Sequence, residues 1–138
     1  VECARENAAR NGLSQVVDCV AANVFDLLPQ LQKGQYDFII LDPPAFTKSR
    51  QTTQRAMAGY KEINYRAMRL LPRGGYLATC SCSHFATEEL FRKMLHAAAR
   101  DAGVQLRQIE ARQQSADHPI LWGVEETSYL KFYLFQVV

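Results

Sequence analysis

A continuous apolar run that ends in an acid and two prolines constrains the fold of this chain most. Residues 38–41 read Phe-Ile-Ile-Leu without polar alternation, which is typical of a parallel strand covered on both faces. Pro43 and Pro44 lack a backbone N–H, so the strand must stop near Asp42. Ligands of open α/β sheets bind beyond the carboxyl ends of the strands, where Asp42 is predicted to lie. A strand followed by an ordinary proline turn is the alternative interpretation.

Composition indicates one globular domain without a membrane segment. The 138 residues are 48% hydrophobic and 22% charged, and the net charge of +2 does not by itself indicate nucleic-acid binding. No apolar run reaches the roughly 20 residues that span a bilayer, and the first residues do not resemble a secretory signal. We expect a cytoplasmic protein.

The four cysteines predict free thiols, because Cys80 and Cys82 are too close together to bridge comfortably and the spacing does not resemble a disulfide framework. A zinc site built from Cys80, Cys82 and His84 is disfavoured, since three ligands on one short strand are too linear for tetrahedral zinc and no CxxC pair is present. We therefore expect no metal.

Hydrophobic periodicity and the positions of glycine and proline predict alternating helices and strands. The predicted helices cover residues 1–11, 26–31, 54–71 and 87–102, and the predicted strands cover 16–22, 38–41, 76–82, 104–111 and 129–138. No helix separates the last two strands, so they are expected to pair as an antiparallel unit at one side of an otherwise parallel sheet. The fold class is α/β.

The segment 47–53 is polar and basic, which favours a loop over a site. Lys48 and Arg50 would contact phosphates if RNA lies over this loop. A solvated loop without a partner is the alternative.

Six short motifs occur in register along nearly the whole chain. They are residues 41–46 (LDPPAF), 59–64 (GYKEIN), 70–75 (LLPRGG), 81–83 (SCS), 117–119 (DHP) and 129–131 (YLK). In these residues the chain resembles the catalytic domain of the PUA-domain-containing bacterial 23S ribosomal RNA cytosine-5 methyltransferases, which use S-adenosylmethionine. The resemblance implies a Rossmann-like class I methyltransferase fold with an antiparallel last strand, and ribosomal RNA as partner.

The resemblance also implies that residues 1–138 are the C-terminal portion of that catalytic domain. The first two strands of the family fold, its glycine-rich loop and its ribose-binding acid would all precede Val1. The two strands would lie between 16–22 and 38–41, so their absence would bare a hydrophobic edge. We therefore expect the chain taken alone to be inactive, and to be unstable, oligomeric or rearranged.

Five residues are implied as cofactor-binding by the resemblance: Asn23, Val24, Phe25, Asp42 and Pro43. Asn23 stands where the family usually has aspartate. Its amide oxygen can still accept a hydrogen bond from the adenine amino group, although without charge.

Cytosine carbon 5 is a poor nucleophile, so its methylation needs a thiolate that adds to carbon 6. The resemblance assigns this role to Cys82, whereas a small buried side chain is the plainer interpretation. Asp42 would hold the base amino group or protonate N3, and Pro44 and Phe46 would contact the base. Water, Asp42 or His118 would take the carbon 5 proton.

Two other functions fit the same residues. A methyltransferase acting on guanine or on protein needs only the Asp-Pro-Pro motif, and Cys82 would then be idle. A non-catalytic RNA-binding module would keep the fold without the cofactor, which Asn23 makes more credible.

Overall fold

The computed structural model describes residues 1–46 and 52–138 of the chain. Its helices are α1 (Glu2–Arg10), α2 (Val24–Leu27), α3 (Thr53–Leu70) and α4 (Glu88–Ala102), and its strands are β1 (Phe38–Leu41), β2 (Tyr76–Ser81), β3 (Leu106–Arg112) and β4 (Lys131–Val137). Short 3₁₀ turns cover Leu28–Gln30 and Glu125–Thr127. Four of the five predicted strands are confirmed within about three residues at each end.

The strands form one mixed sheet in the order β1-β2-β4-β3. Strands β1 and β2 are parallel, and β4 is antiparallel to both of its neighbours, β2 and β3. The antiparallel pairing of the last two strands is therefore confirmed. Because Leu41 pairs with Thr79, the carboxyl ends of β1 and β2 lie side by side and place Asp42 beside the end of β2.

Helices α3 and α4 pack against each other and cover one face of the sheet. One face of α3 is buried, with Tyr60 and Ala67 fully enclosed, and Phe91 of α4 is equally buried. Helix α4 begins where Thr87 Oγ1 accepts from the Leu90 N–H and ends at Gly103 in the left-handed region, with φ of 69°. These helices hold the loops that follow β1 and β2.

The prediction that β1 is covered on both faces is wrong. Phe38 is 49% exposed and Ile40 is 69% exposed, whereas Leu41 is buried. Ile39 and Leu41 point toward α3 and α4, and the opposite face carries Phe38 and Ile40 without a covering helix in the described part of the chain. The uninterrupted apolar run thus marks a strand with one covered and one open face.

The predicted strand over residues 16–22 is also wrong. The N–H groups of Val16 and Val17 both donate to the Leu13 carbonyl oxygen, so this segment begins as a turn. Val16 is 76% exposed and Val20 is 61% exposed. A strand forms only where a neighbouring strand accepts and donates its backbone hydrogen bonds, and within the described residues the sheet ends at β1.

Two isoleucines test the difference between the covered and open faces. Ile63→Ala, at a position 2% exposed in α3, should lower the free energy of unfolding by about 3 kcal/mol, because it leaves a cavity in the core. Ile40→Ala should cost less than about 1 kcal/mol, because the side chain is already largely in water. Urea unfolding followed by circular dichroism measures both. Equal losses would contradict an open sheet face.

Candidate functional site

The site begins with Asp42, which follows the last residue of β1 and is exposed. The Cys80 thiol of the adjacent strand donates to Asp42 Oδ1 at 3.1 Å and lies 3.4 Å from the Leu41 carbonyl oxygen. Burial, and next the hydrogen bond to Asp42, raise the pKa of Cys80 to about 12. Cys80 therefore stays a protonated donor at neutral pH and holds one oxygen of Asp42, which leaves the other for a ligand.

The two strand-end loops are joined through Tyr60 of α3, whose side chain is completely buried. Its hydroxyl oxygen accepts from Ser81 Oγ at 3.0 Å, and its ring packs against that of Phe46. Burial raises the pKa of Tyr60, against the opposing influence of the Ser81 hydroxyl and the Phe46 backbone, so the hydroxyl remains neutral. The Tyr60 side chain thus contacts both the end of β2 and the loop after β1.

Phe46 packs against this junction. Its ring centre lies 4.6 Å from that of Tyr60 and 6.1 Å from that of Phe25. A Cβ added at Gly59 would lie 3.5 Å from the Phe46 ring, an ordinary contact. Because Phe46 is half-buried, only part of its surface is free for the base that the sequence predicted there.

Cys82 follows β2 directly and is exposed. Both backbone polar groups of the next residue, Ser83, are hydrogen-bonded. The Ser83 N–H donates to Ser81 Oγ at 3.3 Å, and Lys131 Nζ donates to the Ser83 carbonyl oxygen at 2.6 Å. Lys131 also donates to the Tyr129 carbonyl oxygen at 2.8 Å. The backbone next to Cys82 is therefore fixed while its thiol faces solvent.

Lys131 was not predicted as a site residue, although it closes the last of the six motifs. It is 9% exposed, and burial lowers its pKa to about 8, against the opposing influence of Cys82 and Glu88. Lys131 pairs with Ser81, so the strand register brings it next to the end of β2. That register was not available from the sequence, which is why Lys131 was missed.

Asn23 caps the N-terminus of α2, where its side-chain oxygen accepts from the Phe25 N–H at 3.1 Å. The oxygen predicted for adenine already has one partner and retains a second lone pair. Asn23 and Phe25 are exposed next to each other, and Val24 is half-buried.

The other predicted site residues are spread more widely. Lys48 and Arg50 lie outside the described residues. Pro43 is half-buried and Pro44 is exposed. The His118 side chain is 61% exposed, and its Nε2 lies 3.8 Å from Asp117 Oδ2. In the described ranges no hydrogen bond or ion pair joins His118 to Asp42 or Cys82. Across those ranges there is also no group of three side chains suited to a metal and no helix able to cross a membrane.

Comparison with known proteins identifies the family. The family model described as "Methyltransferase small domain" matches residues 1–105, about three quarters of the chain. The chain belongs to this methyltransferase family. Among curated relatives, a ribosomal RNA large subunit methyltransferase I of Klebsiella pneumoniae is 39% identical over the whole chain, which covers 35% of that protein. Its counterpart in Cronobacter sakazakii is 38% identical, and the chain covers 36% of it. The chain thus spans about a third of the length of these relatives.

Solved structures of methyltransferases share the fold. A protein from Streptococcus mutans assigned as a SAM-dependent methyltransferase superposes with a TM-score of 0.72 at 20% identity, over 99% of this chain and 36% of that one. SMU.776, assigned as a methyltransferase and complexed with SAH, gives a TM-score of 0.70 at 19% identity, over 99% and 37% of the two chains. The predicted methyltransferase-like α/β fold with an antiparallel last strand is confirmed.

The buried junction at Tyr60 can be tested by removing one oxygen. Tyr60→Phe leaves the buried Ser81 hydroxyl without this acceptor, so it should cost about 1 to 3 kcal/mol in the free energy of unfolding. Tyr36→Phe, at a tyrosine 45% exposed, is the matched control and should cost less than about 0.5 kcal/mol. Urea titration of both variants decides, and a neutral Tyr60→Phe would show that the junction is not stabilising.

Cys80 makes stability fall at alkaline pH. Its pKa rises from 9.0 to about 12 on folding, so the stability it contributes is present below pH 9 and is lost as pH rises from 9 toward 12. The difference in free energy of unfolding between the wild type and Cys80→Ala should shrink by about 2 kcal/mol between pH 8 and pH 10.5. Urea unfolding at both pH values measures this. Replacement of the exposed Cys3 should leave the pH dependence unchanged, and a constant offset for Cys80→Ala would contradict the assignment.

Proposed function

We propose that this chain is the C-terminal portion of the catalytic domain of an S-adenosylmethionine-dependent methyltransferase that forms 5-methylcytosine in large-subunit ribosomal RNA. Cys82 is the nucleophile and Asp42 binds the base. The observation that carries the proposal is the exposed thiol of Cys82 on a fixed backbone beside the strand end that presents Asp42. The names of the curated relatives support the RNA target, and the enzyme would act in the cytoplasm.

The residues present fit one side of an adenosine. Asn23 offers polar amide atoms next to the exposed ring of Phe25, which suits a flat base with an amino group at its edge. Asn23, Val24 and Phe25 would hold the adenine, and Asp42 with Pro43 would border the methionine end. When bound, S-adenosylmethionine supplies an electrophilic methyl group.

The chain's own residues then account for base activation. The Cys82 thiolate adds to carbon 6 of cytosine, and the electron pair of the 5,6 double bond moves to carbon 5. Asp42, held through one oxygen by Cys80, uses its other oxygen for the exocyclic amine or N3. After methylation, carbon 5 loses its proton to a base, the double bond re-forms, and Cys82 leaves as a thiolate.

The identity of that base stays a proposal. Water or Asp42 is preferred over His118. Asp42 follows β1, which pairs with β2, and Cys82 follows β2. The His118 backbone N–H instead donates to the Ser115 carbonyl oxygen in a separate exposed turn. Lys48 and Arg50 keep their predicted role as phosphate contacts.

The decisive experiment traps the covalent adduct. Large-subunit ribosomal RNA fragments in which 5-fluorocytosine replaces cytosine are mixed with S-adenosylmethionine and a longer protein that carries this chain and the preceding part of the catalytic domain. Fluorine at carbon 5 cannot leave as a proton does, so the adduct should persist in denaturing gels and map to Cys82 by mass spectrometry. Cys82→Ala should abolish both the adduct and methyl transfer.

Cys3→Ala is the matched control, because this free cysteine lies in α1 and has no part in the proposed site, and it should still form the adduct. Methyl transfer that survives Cys82→Ala would favour a guanine- or protein-directed enzyme. Failure of the longer protein to bind S-adenosylmethionine in calorimetry would favour the non-catalytic RNA-binding module.

A further inference from the structure

Lys131 is the buried charged group that the proposed mechanism leaves without a role. It begins β4, pairs with Ser81 in the sheet and is 9% exposed. Burying a lysine costs free energy unless its donors are used. Two of its three N–H bonds go to carbonyl oxygens, those of Ser83 and Tyr129. Lys131 is thus a buried donor that holds the backbone next to Cys82.

Two residues, Lys131 and Ser81, hold Ser83, the residue that follows the proposed nucleophile. Ser81 and Lys131 face each other across β2 and β4, and they hold the N–H and the carbonyl of Ser83 respectively. The backbone of Cys82 therefore lies between the end of β2 and a Ser83 that is hydrogen-bonded through both its N–H and its carbonyl. A reacting thiol must be held close to its attack geometry for efficient addition, and a free backbone would not provide this.

The surroundings of Lys131 are mixed in charge. It lines a cleft of about 480 Å³ between the start of α4 and strands β3 and β4. Cys82 and Glu88 act on it electrostatically. The other titratable or charged groups lining this cleft are His84, Arg112, Glu125 and Tyr133.

We propose that Lys131 is a positioning residue for Cys82, which it holds in place by fixing the Ser83 carbonyl. The proposal rests on the proposed role of Cys82. A thiol whose neighbouring backbone is already fixed loses less conformational freedom when it reaches its attack geometry, so Lys131 acts on the addition step through Ser83.

The test compares two reactions of the Cys82 thiol and does not depend on methyl transfer. The longer protein that carries this chain and the preceding part of the catalytic domain is either mixed with the fluorocytosine RNA or alkylated with iodoacetamide, and the rate at Cys82 is resolved from those at Cys3, Cys19 and Cys80 by mass spectrometry. Adduct formation needs a defined attack geometry, whereas alkylation by a small reagent does not.

Three variants separate positioning from packing. Lys131→Met keeps the length of the side chain but loses both hydrogen bonds, so it should slow adduct formation about tenfold while alkylation of Cys82 stays within about twofold of the wild type. Lys131→Arg still donates hydrogen bonds, so it should restore most of the adduct rate. Lys93→Met removes an exposed lysine that is ion-paired with Glu89 at 2.7 Å, and it should behave as the wild type.

The outcomes are distinct. Rapid alkylation of the buried Cys80 would reveal an unfolded variant, and Lys131→Arg, which should form the adduct, then decides. An adduct rate of Lys131→Met equal to that of the wild type, or a folded Lys131→Arg that forms no adduct, overturns the role of Lys131. Absence of an adduct at Cys82 in the wild type contradicts the role of Cys82 instead.

Discussion

The hydroxyl of Tyr60 is the interaction on which the arrangement of the site depends. It is buried in the core, where its oxygen accepts a hydrogen bond from Ser81, the last residue of β2, while the Tyr60 ring packs against Phe46 in the loop after β1. A buried polar atom is tolerated only when it is satisfied, so the two loops and the tyrosine stabilise one another. Helix α3 thereby couples the packing of the core to the positions of Phe46 and Ser81.

From this junction the site extends through two further buried donors of unlike chemistry. The Cys80 thiol holds Asp42, and the Lys131 ammonium holds Ser83. Burial shifts both groups toward their neutral forms, which raises the pKa of the thiol and lowers that of the ammonium. The two proposed reactive groups, Asp42 and Cys82, are themselves exposed, so buried neighbours orient side chains that remain open to a ligand.

Sequence reasoning placed the ends of β1 and β2 better than it placed the edge of the sheet. The proline pair after Asp42 stops β1 by removing N–H donors, and this local constraint is met in the structure. The strand predicted at residues 16–22 has no partner strand, and the apolar run of β1 is open on one face. Both errors arise because pairing and coverage depend on neighbours that a local pattern does not specify. The expected oligomeric or rearranged state stays a prediction.

The sequence by itself determined the α/β class and the ends of β1 and β2, because turn chemistry and periodicity are local properties. The roles of Asp42 and Cys82 stay proposals. Only the tertiary structure decided that Cys80 donates to Asp42, that Ser81 donates to Tyr60, and that Lys131 holds Ser83. These hydrogen bonds join residues between 21 and 48 positions apart. They follow from strand register and helix packing, which are set by burial of the whole core.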